Sequence, residues 1–224
     1  MTEMKDGEYF RHFEIYMGYA CNRACRFCFV EEADRKKFGA GIPFRNICGN
    51  LYAAYEKGFR AVSLLGGEPT VYPSLFKIAR FAKKTGYRHV MLFSNGLKLA
   101  DMRYAEELLA SGIDGINLNI PSHISREFDY LTGMRGGMRK LTAALENIRA
   151  LKIPCAAVCV LNSRNYSSLA DYAAFYGRLG IRIFVLQYMK FQGRINPSSP
   201  ENDDNIGELR VSMIWKRVKF RIHT

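Results

Sequence analysis

An α/β fold with parallel strands is predicted by three observations. Short β-rich apolar runs alternate with helical patterns from residue 13 to residue 190, the runs are apolar almost throughout, and glycines close most of the helical stretches. Alternation of strand and helix builds right-handed βαβ crossovers and a parallel sheet, and near-continuous apolar strands fit burial on both faces. Two architectures satisfy this pattern, an open doubly wound sheet and a partial barrel. Both put their chemistry at the carboxyl ends of the strands.

In chain order, strands are expected at residues 13–19, 61–65, 89–94, 115–120, 155–161 and 181–188. Helices are expected between them, near 45–57, 74–85, 101–111, 137–151 and 166–179. Gly58, Gly86, Gly112 and Gly180 each follow a helical stretch where a left-handed cap is needed. Ser74 and Asp101 fit the N-cap position, and the helix over 137–151 must end before Pro154, which cannot extend it. The core is thus expected over residues 1–192. Residues 192–205, rich in Asn, Pro, Ser and Asp, read as a linker leaving it. Beyond them Val218, Phe220 and Ile222 alternate with Lys219, Arg221 and His223, so 193–224 reads as a linker and short basic segment that could cover the core.

Composition excludes several classes. With 224 residues, 48% hydrophobic and 24% charged, the chain is long enough for one α/β domain and is neither disordered nor collagen-like. No apolar run approaches the ~20 residues of a membrane span, and the N-terminus lacks the basic start and apolar core of a signal peptide. A cytoplasmic protein is expected, in which six cysteines read as thiols and metal ligands before disulfides. The net charge of +12 suggests an acidic partner. Part of that excess, Arg210, Lys216, Arg217, Lys219 and Arg221, lies after the last acidic residue, Glu208, and the other Lys and Arg, spread singly, read as solvated surface.

Two motifs carry chemistry. Cys21, Cys25 and Cys28 form a Cys-x3-Cys-x2-Cys loop directly after the first expected strand. Three thiolates can hold three irons of a four-iron four-sulfur cube and leave the fourth iron open to a small molecule. With a fourth ligand such as Cys48 or His12, the same thiols could instead make a structural zinc site, and Cys25 with Cys28 a redox pair. The second motif, Gly66-Gly67-Glu68-Pro69, follows the second expected strand, and neither zinc nor a dithiol explains it. Both motifs fall at carboxyl ends of strands, and so on one rim of the fold.

Together the motifs resemble the radical S-adenosylmethionine (radical SAM) enzymes, whose loop reads Cys-x3-Cys-x-aromatic-Cys and here carries Phe27 as the aromatic. The resemblance spans roughly residues 13–192 and implies a (β/α)6 partial TIM-type barrel. It also implies a 4Fe-4S cluster on Cys21, Cys25 and Cys28, with S-adenosylmethionine bound at the open iron. Reductive cleavage would give methionine and a 5′-deoxyadenosyl radical that takes hydrogen from a substrate. Many relatives continue into a cysteine-rich C-terminal domain, whereas this chain has no cysteine after Cys159, so a minimal or truncated core is expected.

The resemblance also assigns cofactor-binding residues. Phe27 would lie near the adenine, Gly66 and Gly67 would let the backbone approach the methionine ammonium group, and Glu68 would hold that strand end. Ser94 and Asn95, after the third strand, match the position that binds the amino-acid half. Asn117, Asn119 and Ser122 stand where relatives bind ribose hydroxyls, with Asn119 preferred, although relatives commonly show Ser-x-Asp there. Arg135 fits an arginine that can hold the cofactor carboxylate in two parallel hydrogen bonds. Asn162 is a further candidate for cofactor or substrate.

The other chemistry-bearing side chains read differently. Cys155 and Cys159 fall on one face of a strand and, like Cys48 on a helix, read as core packing. His12, His89, His123 and His223 show no metal spacing. No residue is singled out as catalytic towards the substrate. A small-molecule or peptide substrate is expected, with an acidic electron donor such as a flavodoxin or ferredoxin and no membrane. Nucleic acid, hence RNA modification, is the alternative that charge favours, and a zinc-stabilised interaction module without catalysis is the alternative of another class.

Overall fold

The computed structural model describes residues 11–188 and Arg194. Six parallel strands are hydrogen-bonded in the order in which they occur: β1 (Arg11–Tyr16), β2 (Phe59–Leu65), β3 (His89–Ser94), β4 (Gly115–Asn119), β5 (Cys155–Leu161) and β6 (Ile183–Tyr188). This order chooses between the two expected architectures. A doubly wound sheet reverses its order at a switch point, whereas an unreversed 1-2-3-4-5-6 order with right-handed crossovers puts all helices on one face. The sheet curls away from them into a half-barrel.

Register makes the helix-facing layer. Ile15 pairs with Leu64, Leu64 with Leu92, Leu92 with Ile116 and Ile116 with Cys155, a row running across five strands. Against it pack Ile47 and Leu51 of α2 (Phe44–Glu56), Ile78 of α3 (Leu75–Thr85) and Leu108 of α4 (Met102–Ala110). Leu141 and Ala144 of α6 (Gly137–Ala150) and Tyr172 and Tyr176 of α7 (Leu169–Arg178) complete the layer. Each fully buried Leu or Ile here contributes about 1.5–3 kcal/mol relative to an exposed one. Cys159 belongs to this core, Cys155 packs against it partly buried, and Cys48 is buried on α2, in line with the packing role expected for all three.

The opposite face of the strands follows period two. Glu14 and Tyr16 of β1, Asn117 and Asn119 of β4, and Val158 and Val160 of β5 all line the hollow of the half-barrel.

Several expectations are refined. The first strand ends at Tyr16 rather than residue 19, because Gly18 turns with φ of +133° and Tyr19 N–H donates to the Phe38 carbonyl instead of to a strand. The last strand starts at Ile183, two residues late, while Ile181 stays buried. The helix expected over 166–179 is a 3-10 turn at Tyr166–Ser168 followed by α7. Two further helices are present, α1 (Glu32–Phe38) and α5 (Ser125–Thr132). The four cap glycines do adopt positive φ, from 88° to 111°. Asp101 caps α4 through Oδ1, accepting from the Arg103 and Tyr104 N–H groups at 2.9 and 3.4 Å, whereas Ser74 makes no side-chain cap. The linker and the alternating segment over 218–223 fall outside the described residues, Arg194 apart. No helix among the described residues is long and apolar enough to cross a membrane.

Candidate active site at the carboxyl ends of the strands

The mouth of the half-barrel is built by the chain leaving β1 and the chain leaving β2, which run side by side. Met17 N–H donates to Leu65 O, Gly67 N–H to Gly18 O and Glu68 N–H to Ala20 O, each at 2.8 Å. This close approach is what requires glycine. A Cβ on Gly67 would fall 2.3 Å from Ala20 O, and one on Gly66, whose φ is +144°, would fall 2.3 Å from Gly18 O. The Gly-Gly pair therefore seats the start of the cysteine loop, a geometric reason that the turn signal alone did not disclose.

Glu68 ties three segments together. It is buried, and Oε1 accepts from Thr70 N–H (3.1 Å), Thr70 Oγ1 (2.6 Å) and Ser94 Oγ (2.8 Å), while Oε2 accepts from Asn95 N–H (2.6 Å). Asn95 Nδ2 then donates to Asn22 Oδ1 at 2.7 Å, inside the cysteine loop. Thus Ser94 and Asn95 act first on the protein itself, bracing the ends of β2 and β3 against the loop.

One cavity of about 650 Å3 collects most of the residues singled out by sequence. Cys21, Cys25, Cys28, Phe27, Gly66, Gly67, Glu68, Ser94, Asn95, Asn117 and Asn119 all line it. Phe27 is also a packing residue, buried with Leu131 and against Val160. Arg135 is not among the lining residues and stands exposed in the turn between α5 and α6. Ser122 and Asn162 lie outside as well. Ser122 Oγ accepts from Ile124 N–H, and Asn162 shapes its own loop through Arg164 N–H, Asn165 and the Val160 carbonyl. Among the histidines, His12 Nε2 pairs with Ser63 Oγ at 2.9 Å and His123 packs against Tyr172 and Phe175.

All six cysteines are free thiols. Cys21, Cys25 and Cys28 are half-buried, and loss of hydration raises the Cys21 thiol and pushes Cys25 up to about 12, with Arg23 pulling Cys25 the other way. Among the described residues no three His, Cys, Asp or Glu side chains converge to hold a single metal ion. Ligands of one zinc must meet at a point about 2.3 Å from each sulfur, whereas a cube takes each thiolate on its own iron. Three free thiols lining one cavity are the soft donor set that such a cube takes.

Sequence reasoning missed Arg23. In the sequence it reads as one more scattered surface cation, yet it is only 6% exposed and lines the cavity together with Cys21 and Cys25. Its Nε and Nη2 have no hydrogen-bond partner, and Nη1 makes only a long 3.5 Å contact to the Asn119 carbonyl. Asn119 Oδ1 is likewise buried without a partner. Donors and an acceptor left open in one cavity call for a bound group or water to complete them. Arg35 was missed too, and its Nη2 donates to Cys28 Sγ at 3.2 Å. The only sequence signal for either was its place within or just after the cysteine loop.

A half-barrel with three free thiols, a Gly-Gly-Glu edge and open polar groups at its mouth defines a cofactor-dependent enzyme of the partial-barrel class. Residues 15–176 match the Radical SAM superfamily, and the chain belongs to it. Enzymes of this family use a 4Fe-4S cluster and S-adenosylmethionine, which sets aside the zinc-stabilised module without catalysis. Over 193 residues the chain is 31% identical to a protein of Saccharolobus islandicus (strain Y.N.15.51 / Yellowstone #2) named probable GTP 3′,8-cyclase, covering 85% of this chain and 60% of that one. With the GTP 3′,8-cyclase of Synechococcus elongatus it is 31% identical over 186 residues, covering 81% and 56%. The chain thus spans about 60% of the length of these curated relatives. Among solved structures, Streptococcus suis SuiB bound to S-adenosylmethionine superposes with a TM-score of 0.71 at 20% identity, covering 89% of this chain and 43% of that one. The structure of anSMEcpe with bound AdoMet gives 0.66 at 18% identity, covering 80% and 51%.

Proposed function

We propose that this chain holds a 4Fe-4S cluster on Cys21, Cys25 and Cys28 and cleaves S-adenosylmethionine reductively to act on a small-molecule or peptide substrate. Cys21, Cys25 and Cys28 would hold the cluster, whose chemistry when bound would be one-electron reduction of S-adenosylmethionine to methionine and a hydrogen-abstracting 5′-deoxyadenosyl radical. The observation that carries this reading is the meeting of three free thiols, the Gly66-Gly67-Glu68 edge and the open polar groups of Arg23 and Asn119 in one cavity.

The protein's own part is positioning and exclusion of water. Glu68, held by Thr70, Ser94 and Asn95, keeps the Gly66-Gly67 edge in place, and that edge, which lines the cavity, would hold the methionine half of the cofactor. The open Asn119 Oδ1 would accept from a ribose hydroxyl, and Phe27, buried against Leu131 and Val160, would give an apolar wall for the adenine. Substrate would occupy the part of the cavity lined by Glu14 and Tyr16 of β1 and Gln187 and Tyr188 of β6. Support for a small-molecule or peptide substrate comes from the relatives named for GTP and from SuiB, solved with its precursor peptide SuiA.

An acidic electron donor such as a flavodoxin or ferredoxin fits the net charge of +12, as does the competing RNA reading, which predicts binding that weakens steeply with salt. The test is anaerobic reconstitution with iron and sulfide, followed by dithionite and S-adenosylmethionine. Release of 5′-deoxyadenosine above a cluster-free control is expected, and its absence in protein carrying a full cluster would defeat the proposal.

A further inference from the structure

Two guanidinium groups line the cavity of the three thiols, one from inside the cysteine loop and one from α1. Arg35, in the middle of α1, donates Nη2–H to Cys28 Sγ at 3.2 Å, and its Nε lies 3.8 Å from Glu32 Oε2. Arg23, inside the loop, is 6% exposed, with Nε and Nη2 open and its guanidinium carbon 5.2 Å from the centre of the Phe128 ring. Both line the cavity with the three thiols. Glu68, whose charge Arg23 feels, already spends its oxygens on Thr70, Ser94 and Asn95. Burying a guanidinium with open N–H groups is costly unless an anion completes it. Arginine stays protonated, so an anion in the cavity is the partner that best offsets its burial.

We propose that Arg23 and Arg35 are positioning residues that grip the thiolate edge of the cluster from two sides and make it easier to reduce. This rests on the reading of Cys21, Cys25 and Cys28 as cluster ligands. Reduction adds one electron, from a low-potential donor, with no bond made or broken and no proton moved. A fixed cation stabilises the more negative state, and N–H···S hydrogen bonds draw charge from the ligand sulfurs in the same direction. The two arginines therefore raise the reduction potential. They widen the range of donors able to deliver the electron.

The test uses reconstituted wild type with Arg23→Gln, Arg35→Gln, Arg35→Lys and, as control, Arg26→Gln. Arg26 shares the loop, but it is exposed and lies over the Tyr130 ring outside the cavity. Iron is counted first, and then each cluster is titrated against potential with the reduced state read by electron paramagnetic resonance. Both glutamine variants should keep their iron yet show at least a tenfold lower ratio of reduced to oxidised cluster at fixed potential, about 59 mV for one electron. Arg35→Lys should shift less, and Arg26→Gln should match wild type. Unchanged midpoints in Arg23→Gln and Arg35→Gln with full iron would overturn the proposal. If a glutamine variant loses iron, Arg23→Lys and Arg35→Lys decide, since lysine keeps the charge but not the fork. A lowered midpoint then supports the grip and an unchanged one overturns it. Wild-type protein that takes up no iron would instead overturn the cluster reading beneath, a failure seen before any titration.

Discussion

Glu68 Oε2 accepts the backbone N–H of Asn95 at 2.6 Å, joining the end of β2 to the end of β3 across the floor of the cavity. With Oε1 taken by Thr70 and Ser94, the carboxylate is a buried hub on which the position of the cysteine loop depends, because Asn95 also donates to Asn22.

Glu68→Ala leaves the Thr70 and Asn95 N–H groups buried without a partner. Each such loss costs about 1–3 kcal/mol, so a total near 3 kcal/mol is expected. For a domain of this size that lowers Tm by roughly 6–12 °C. Differential scanning calorimetry checks it, and a fall of under about 2 °C would show that the hub is not structural.

Two glycine substitutions should have opposite signs. Gly67→Ala drives a Cβ to 2.3 Å from Ala20 O and 2.5 Å from Tyr19 O, both backbone atoms, so it should lower Tm and reduce the iron retained on reconstitution. Gly49, exposed on α2, has nothing within 4 Å of its Cβ position, so Gly49→Ala should raise stability by up to about 1 kcal/mol through helix propensity. Urea denaturation of both variants measures the contrast, and two shifts of the same sign would contradict it.

Acid should weaken the packing around His123. Burial lowers its pKa below the ordinary 6.5, with Asp171 opposing, so the unfolded chain binds the proton more readily than the folded one. The contribution of the neutral ring is complete above about pH 6.5 and is lost as pH falls through the lower folded value. His123→Phe should therefore lose less stability than wild type between about pH 7.5 and about pH 5 in urea titrations. An equal loss in both proteins would show that the ring does not sense pH.

Much of this was legible in the sequence because it is local. The six strands follow from apolar runs, the cap glycines from their place after helices, and the thiol loop from its spacing. What stayed hidden is set by distant partners. Helix α1 has no buried residues, so no apolar stripe announces it, and α5 buries only Phe128, Leu131 and Thr132 along a polar segment. Barrel and open sheet differ in strand order, which no single strand encodes. Arg23 reads as one more surface cation until Asn119 and Phe128, about a hundred residues away, close around it. Arg135, expected at the site from its motif alone, stands exposed in the turn after α5 and is not among the residues lining the cavity.

The most direct test of the central claim is iron and sulfide content after anaerobic reconstitution of single cysteine variants. Cys21→Ala, Cys25→Ala and Cys28→Ala should each lose the cluster, whereas Cys48→Ala, Cys155→Ala and Cys159→Ala should hold about four irons per chain as wild type does. Equal loss in both sets, or one tightly held zinc and no iron in the wild type, would contradict the account.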